Sequence, residues 1–416
     1  MTSTQPQRAG LLSEIPKNVW VATLTSFLTD ISSEMITNLI PLFLANVLGV
    51  STVVIGLIDG VAETTSSLLK GISGWLSDKL QERKWVAVAG YALSALSKPL
   101  LYFASAWTGV LAVRFADRAG KGIRTSPRDA LIADSVNEHR RGLAFGLHRA
   151  GDTAGAAIGL IIALLVVLAT QAQALDLSAA TFRTIVLIGV VPGLLAVVVL
   201  AIGARDVEIK PAAPTVRLNF GSLSRNFKIF LLIIAIFTLG NSSDSFLILL
   251  AQQRGLNVAG VLGMLITFNA IYALFSGPLG ALSDRLGRQR VIIGGWLVYG
   301  LLYLGFAAAD SAWQIWLLYG LYGLYYAGTE GTAKALVADL VPAEQRGTAY
   351  GWYNAVVGLV ALPASLIAGI LWQGIGGWQG LGSHAPFLFG SALAVLASLL
   401  LVWQRRNQRF EVSQPV

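Results

Sequence analysis

Residues 71–80 read Gly-Ile-Ser-Gly-Trp-Leu-Ser-Asp-Lys-Leu, and residues 277–286 read Gly-Pro-Leu-Gly-Ala-Leu-Ser-Asp-Arg-Leu; six of the ten positions are identical. A second pair follows each stretch at nearly the same offset: Ala133 to Gly146 and Ala338 to Gly351 share seven of fourteen positions. Upstream, Ser32-Ser33-Glu34 matches Ser242-Ser243-Asp244. Three matches in one order describe a chain made of two copies of one unit.

Hydropathy says what the unit is. A bilayer core of about 30 Å takes roughly 20 mainly apolar residues per helix. Such runs occur near 19–48, 52–77, 85–106, 108–131, 143–169 and 183–204, and again near 227–250, 258–282, 290–309, 312–338, 348–372 and 385–404. The expected fold is therefore an all-α membrane protein with twelve transmembrane helices in two six-helix bundles, residues 1–204 and 226–416. The polar stretch 205–225, with Lys210, Pro211, Pro214 and Arg217, joins them as a linker. An even number of spans per copy makes the repeats parallel, and such repeats meet, with their solute site, near the middle of the membrane.

Composition agrees. Of the 416 residues 55% are hydrophobic and 12% charged, about half the charge of a soluble domain, and mean hydropathy is +0.67. A soluble enzyme, a disordered chain and a disulfide scaffold are excluded. Zero cysteines remove thiolate chemistry, and His139, His148 and His384 are too scattered for a metal cluster. Met1 to Lys17 lacks an apolar core followed by a cleavage site, so no signal peptide is expected.

Basic residues set the orientation, because short cytoplasmic loops accumulate them. With the N-terminus inside, 19 of the 30 Lys and Arg fall in cytoplasmic segments, only Arg183 and Arg254 in outer loops, and nine inside spans. Both termini are thus expected in the cytoplasm, and the net charge of +8 needs no nucleic acid to explain it.

Charges within the spans are costly, about 2.5–3.5 kcal/mol each at the bilayer centre, and normally face a wet cavity or a partner. Span 1 carries Asp30 and Glu34 on one face; span 2 carries Asp59 and Glu63 in the same spacing, with Lys70 beyond; span 5 adds His148, Arg149 and Asp152. On span 4, Arg114, Arg118, Lys121, Arg124 and Arg128 share an arc of about 120° at the helical period. Three readings compete for this charged face. An acid among Asp30, Glu34, Asp59, Glu63 or Asp152 carries a coupling proton, its affinity set by desolvation and by the span 4 cations. Alternatively, Arg114, Arg118 and Lys121 bind an anionic solute, or the charges form interhelical pairs that fix packing.

The second half differs. Its spans carry few polar groups (Asn241, Asp244, Asn269, Glu330, Lys334) but many aromatics, including Tyr272, Tyr319, Tyr322, Tyr325, Tyr326, Trp352 and Tyr353. Asn241, Asp244, Asn269, Tyr272, Tyr322, Tyr326 and Glu330 are candidate cavity residues, since aromatic rings with polar tips suit a partly apolar solute. Tyrosines that merely pack helices are the competing explanation, and a local Glu330–Lys334 pair accounts for that acid. Gly151, Gly155 and Gly159, four residues apart, permit close helix packing.

The duplicated loops resemble the signature of the major facilitator superfamily, G-x-x-x-D-[RK]-x-G-[RK]-[RK] between spans 2 and 3. Gly280, Asp284, Arg285, Gly287 and Arg288 match it, missing only the last position, at Gln289; Gly74, Asp78, Lys79 and Arg83 form the first copy, with Gln81 and Glu82 in place of Gly and a base. The resemblance implies a secondary transporter working by alternating access, in which these loops hold the cytoplasmic gate, Asp78 by pairing near a helix terminus of the opposite half. Arg118 with Gly122 also resembles the span 4 R-x-x-x-G element of proton-coupled drug antiporters, whereas Gly151-Asp152-Thr153-Ala154-Gly155 lacks their span 5 Gly-Pro. The expected activity is proton-coupled efflux of small amphiphilic or organic molecules. The alternatives are a proton-coupled importer or exchanger of an organic anion, and a non-transporting sensor. No phosphate-binding G-x-x-x-x-G-K-[ST] loop occurs, so neither an enzyme nor a cofactor is expected; the partners are a small solute, protons and lipid, for a monomer in a prokaryotic inner membrane.

Overall fold

The computed structural model describes residues 15–137, 140–207, 220–342 and 345–412. Spans 2 to 6 are helical over Thr52–Leu80, Lys84–Phe103 (its last turn 3₁₀), Trp107–Asp134, Arg141–Gln171 and Ala179–Gly203; spans 8 to 12 over Val258–Leu286, Arg288–Ala308, Ala312–Asp339, Arg346–Gln373 and Ala385–Val412. Spans 1 and 7 are broken. Span 1 runs over Lys17–Thr37 and resumes through Ile40–Leu42 into a π-helical turn, Phe43–Val47; span 7 runs over Arg225–Gly240 and Ser245–Gln253. Among the described residues nine of the twelve are long and apolar enough to cross a membrane by composition alone. The exceptions, spans 1, 4 and 10, carry charge or polar groups within them, and a charged helix stays in the bilayer only when neighbours cover that face.

Spans 1 to 6 pack among themselves, as do spans 7 to 12, and the halves meet mainly where span 2 lies on span 11 and span 5 on span 8. Small residues set the first interface: a side chain on Gly56 would overlap the Ser365 carbonyl, and one on Gly369 would lie 2.6 Å from the Thr52 carbonyl. Within the first half the expected glycine face is present. A side chain on Gly155 would strike the Phe27 backbone of span 1, and one on Gly159 would lie 2.6 Å from the Ile31 carbonyl. The second half has a close glycine contact too, Gly390 on the Gly240 carbonyl, and adds rings: Tyr299 stacks on Tyr303 at 4.0 Å between centroids, Phe237 on Trp296 at 4.5 Å, and Tyr322 on Tyr325 at 5.5 Å.

The termini share one end of the bundle, the terminal face; the other is the distal face. Between the halves the distal face is closed by apolar packing and an amide pair. Asn46 of span 1 donates to Gln252 of span 7 at 3.1 Å and accepts from it at 2.9 Å. Gln252 also donates to the Leu175 carbonyl at 2.9 Å. On the terminal face each signature loop is tied to its own half. Arg83 pairs with Asp78 and, at 3.4 Å, with Asp134; Arg288 pairs with Asp284 at 3.4 Å and Asp339 at 2.5 Å. Among the described residues Asp78 pairs within its own half, with Arg83, and no cross-half pairing of it is seen.

Candidate functional site

Where both helix breaks face each other lies a cavity of about 530 Å³. Pro41 helps to end the first segment of span 1, since a proline nitrogen cannot donate to the preceding turn. Asn38 at that break donates to the Glu34 carboxylate at 2.8 Å and to its carbonyl at 3.1 Å. In span 7, Asn241 to Asp244 leave the helix, so the polar backbone and side chains of this stretch line the cavity rather than lipid.

The cavity brings together Glu34, Asp59, Glu63, Arg114, Arg118, Asn241, Asp244, Asn269 and Tyr326 of the expected residues. Arg114 donates to Asp59 at 3.1 Å, and both side chains are almost wholly buried. Asp59 also accepts hydrogen bonds from Ser243, at 2.8 Å, and from Ser245, joining span 2 to the break in span 7. Arg118 faces Glu63 at 4.0 Å. Asp244 accepts from the Tyr322 hydroxyl at 3.3 Å. Among the described residues neither Glu34 nor Asp244 has a cation within 4.0 Å, so the lining holds four carboxylates against two guanidiniums, each near one carboxylate while Arg114 Nε and Nη1 and Arg118 Nε have no hydrogen-bond partner.

Other expected residues lie elsewhere. Tyr322 is fully buried behind Asp244 and supports the wall instead of lining it. Tyr272 and Glu330 sit off the cavity: Tyr272 donates to Glu330 at 2.8 Å and accepts from Arg149 of span 5 at 2.8 Å, while Lys334 holds Glu330 at 3.1 Å. The local pair expected for Glu330 is thus present, with a cross-half arginine added 3.9 Å away. Asp30 and Asp152 do not line the cavity, and Asp152 lies 3.7 Å from His148. Lys121 is exposed, not a cavity group. Of the loop residues, Gly74 packs on Ser126, Lys79 lies 5.1 Å over the Trp75 ring, Arg285 is exposed, and Gly280 meets nothing within 4 Å.

Several participants were missed. Lys98, 3% exposed, pairs with Asp117 at 3.7 Å and donates to Ser33 at 2.7 Å. Its signal was present in an otherwise apolar span. Asp134 and Asp339 complete the two loop networks, and they stood at equivalent positions in the second repeat match. Ser242 and Ser243, marked by the repeat of Ser32-Ser33-Glu34, line the cavity, as do Phe268 and Ser245, which nothing in their spacing marks.

Comparison with known proteins fixes the family. The family model described as Major Facilitator Superfamily matches residues 22–272 and 256–414. The chain belongs to the major facilitator superfamily. It is 40% identical to an uncharacterized MFS-type transporter of Methanocaldococcus jannaschii, over 94% of this chain and 95% of that protein. A shorter match, 31% identical over 37% of this chain and 36% of the relative, is to the class B tetracycline resistance protein of Escherichia coli. Among solved structures, a POT family transporter in complex with 5-aminolevulinic acid superposes with TM-score 0.78 at 13% identity, covering 95% of this chain and 98% of that one. A D-xylose-proton symporter gives 0.74 at 16% identity, covering 92% and 96%. This superfamily member is therefore an integral membrane transporter of small molecules, not an enzyme.

Proposed function

We propose that the chain is a proton-coupled exporter of small amphiphilic organic molecules. The observation that carries the proposal is the charge inventory of the central cavity: four carboxylates and two guanidiniums, with Arg114 bonded to Asp59 and Arg118 lying 4.0 Å from Glu63. Glu34 and Asp244 are left to bind and release a proton as the cavity changes its exposure to water. The aromatic wall of the second half, Phe268, Tyr319 and Tyr326, gives a partly apolar solute its contact area. An anion exchanger would use the unpartnered Arg114 Nε and Nη1 and Arg118 Nε, but a lining with four carboxylates to two guanidiniums disfavours an anionic solute. The two halves, 1–204 and 226–416, rock about this site, exposing it alternately. The linker 205–225, much of it outside the described residues, tethers them. With the terminal face in the cytoplasm of a prokaryotic inner membrane, as the basic loops favour, proton entry drives solute exit from a monomer. The signature loops act as the gate.

The test is purified protein in proteoliposomes with a pH-sensitive dye inside, an imposed proton gradient, and panels of lipophilic cations, neutral amphiphiles and organic anions. Solute-dependent proton movement in the wild type, abolished by Glu34→Gln, is the expected result. Solute flux without proton movement refutes coupling. Neutralising Asp30, Glu34, Asp59 and Glu63 in turn with no change in pH-dependent transport does the same for the assignment of the acids.

A further inference from the structure

The terminal face of the second half holds another cavity, apart from the central one. It is an open pocket of about 470 Å³ where the turn from span 8 to span 9 meets the ends of spans 10 and 12. Arg285, Arg288, Arg290 and Arg405 line it together with Asp284 and Asp339, a net charge of +2. Both aspartates are engaged by one arginine, for Arg288 lies 3.4 Å from Asp284 and 2.5 Å from Asp339. Arg285 and Arg290 are exposed. The first turn of span 9, which begins a 21-residue helix, belongs to the same lining and adds the positive end of a helix dipole.

The other copy of the repeat shows what this fold position can hold. Asp206, three residues past the end of span 6, accepts from the Arg83 N–H at 3.0 Å and from the Lys84 N–H at 3.3 Å, at the start of span 3. There a carboxylate of the chain itself caps the helix and offsets the basic loop. Span 12 is the counterpart of span 6, and its end brings Arg405 to the pocket in place of an acid. Basic loops on this face follow from membrane orientation. That tendency does not explain why spans 8, 9 and 12 gather their arginines around one pocket, at the position where the first copy seats a carboxylate.

A phosphate suits this arrangement. Its oxygens accept paired hydrogen bonds from a guanidinium, and the N–H groups at a helix start favour it. Leu286 in the lining is 48% exposed, and Trp403, two residues before Arg405, is 52% exposed. An exposed tryptophan at a helix end marks headgroup depth, where basic pockets between helices take lipid headgroups. We infer that this pocket binds a phosphate group, carried by the headgroup of an anionic phospholipid in the adjoining leaflet or by a soluble phosphate. Bound there, it ties the end of span 12 to the turn between spans 8 and 9, as Asp206 ties the end of span 6 to the start of span 3. One half carries a fixed anion and the other takes an exchangeable one. Nothing in this depends on proton coupling.

The test is full-length protein in a neutral detergent, titrated separately with short-chain phosphatidylglycerol, short-chain phosphatidylcholine and inorganic phosphate. The rise in unfolding temperature with concentration gives each affinity. Phosphatidylglycerol should raise it, whereas phosphatidylcholine, whose ammonium adds a further cation to the pocket, should not. A rise with phosphatidylglycerol assigns the phosphate to lipid; a rise with inorganic phosphate alone assigns it to a soluble ligand. Arg285→Gln and Arg290→Gln should each weaken that binding about tenfold, the loss of one charge-assisted hydrogen bond. Arg405→Asp, which gives the second half an acid like that of the first, should abolish it. Lys84→Gln, at the equivalent turn of the first half, should leave it unchanged. No rise with either phosphatidylglycerol or inorganic phosphate overturns the inference. Equal losses in Lys84→Gln and the pocket variants overturn it too, since basic charge anywhere on the face would then suffice. If Arg405→Asp does not fold, the two exposed positions decide.

Discussion

The two halves of the cavity repeat one sequence plan but build opposite walls. Spans 1, 2 and 4 present carboxylates and guanidiniums, with a buried Arg114–Asp59 pair; spans 7, 8 and 10 present Phe268, Tyr319 and Tyr326 beside a single acid, Asp244. Both halves use glycine against backbone, and the second adds a larger cluster of stacked rings. The difference teaches that a duplicated fold can keep its helix paths while giving charge to one copy and contact area to the other. Glycine contacts leave room for charged side chains elsewhere around a helix, whereas a ring-filled core leaves no space to hydrate them.

The largest effect should come from breaking a charge pair. Arg114→Leu leaves Asp59 buried with only hydroxyl donors and should cost about 3–5 kcal/mol, together with loss of transport, read by thermal unfolding in detergent and by flux. Arg114→Leu combined with Asp59→Leu should recover much of the stability and none of the transport. If the single variant is as stable as wild type, the first half does not depend on charge.

Next comes the glycine face. Gly155→Val forces a methyl into the Phe27 backbone, whereas Gly146 meets nothing within 4 Å. The first substitution should destabilise by about 1–3 kcal/mol, and Gly146→Val should stay within about 0.5 kcal/mol. Equal losses would deny the close packing of spans 1 and 5.

A smaller effect should sharpen the contrast from the other wall. Tyr326→Ala should raise the solute KM about tenfold, roughly 1.4 kcal/mol, with the ratio of protons to solute unchanged. A changed ratio would place coupling in the second half too.

The smallest lies in the loops. Gln81 and Gly287 occupy equivalent positions of the two signatures, and both have positive φ, 54° and 91°. Among the described residues Gln81 is the one non-glycine with φ above zero, and the left-handed region costs an ordinary residue about 1–2 kcal/mol. Part of that is offset by the greater freedom of glycine in the unfolded chain. Gln81→Gly should therefore raise stability by no more than about 1 kcal/mol, and Gly287→Gln should lower it. A loss on Gln81→Gly would mean that the two loops are not equivalent.

Much of this was legible early. The apolar runs gave the spans, and the repeat matches gave the two bundles, because lipid demands long apolar helices and duplication preserves their order. Glu34, Asp59, Glu63, Arg114 and Arg118 stood out because charge in a span requires a cavity or a partner. Asp30, Asp152 and Glu330 carried the same signal, and Tyr272 an aromatic one, and all ended outside the cavity, since a helical wheel says which residues share a face but not what that face meets. Tyr322 shows the limit again: its face was right and its depth was not, as Asp244 and Phe268 lie in front of it.

What the sequence determined by itself was the solvent each residue had to live in, hence twelve helices, two parallel halves and a short set of charges that lipid would not tolerate. Which of those charges meet was decided only by tertiary structure. The break at Asn241 to Asp244 brings span 7 to span 2, a contact between residues such as Asp59 and Ser243 that stand 184 positions apart. Helical periodicity fixes direction around one axis, whereas pairing depends on how far helices tilt and approach, and that is set by the packing of all of them at once.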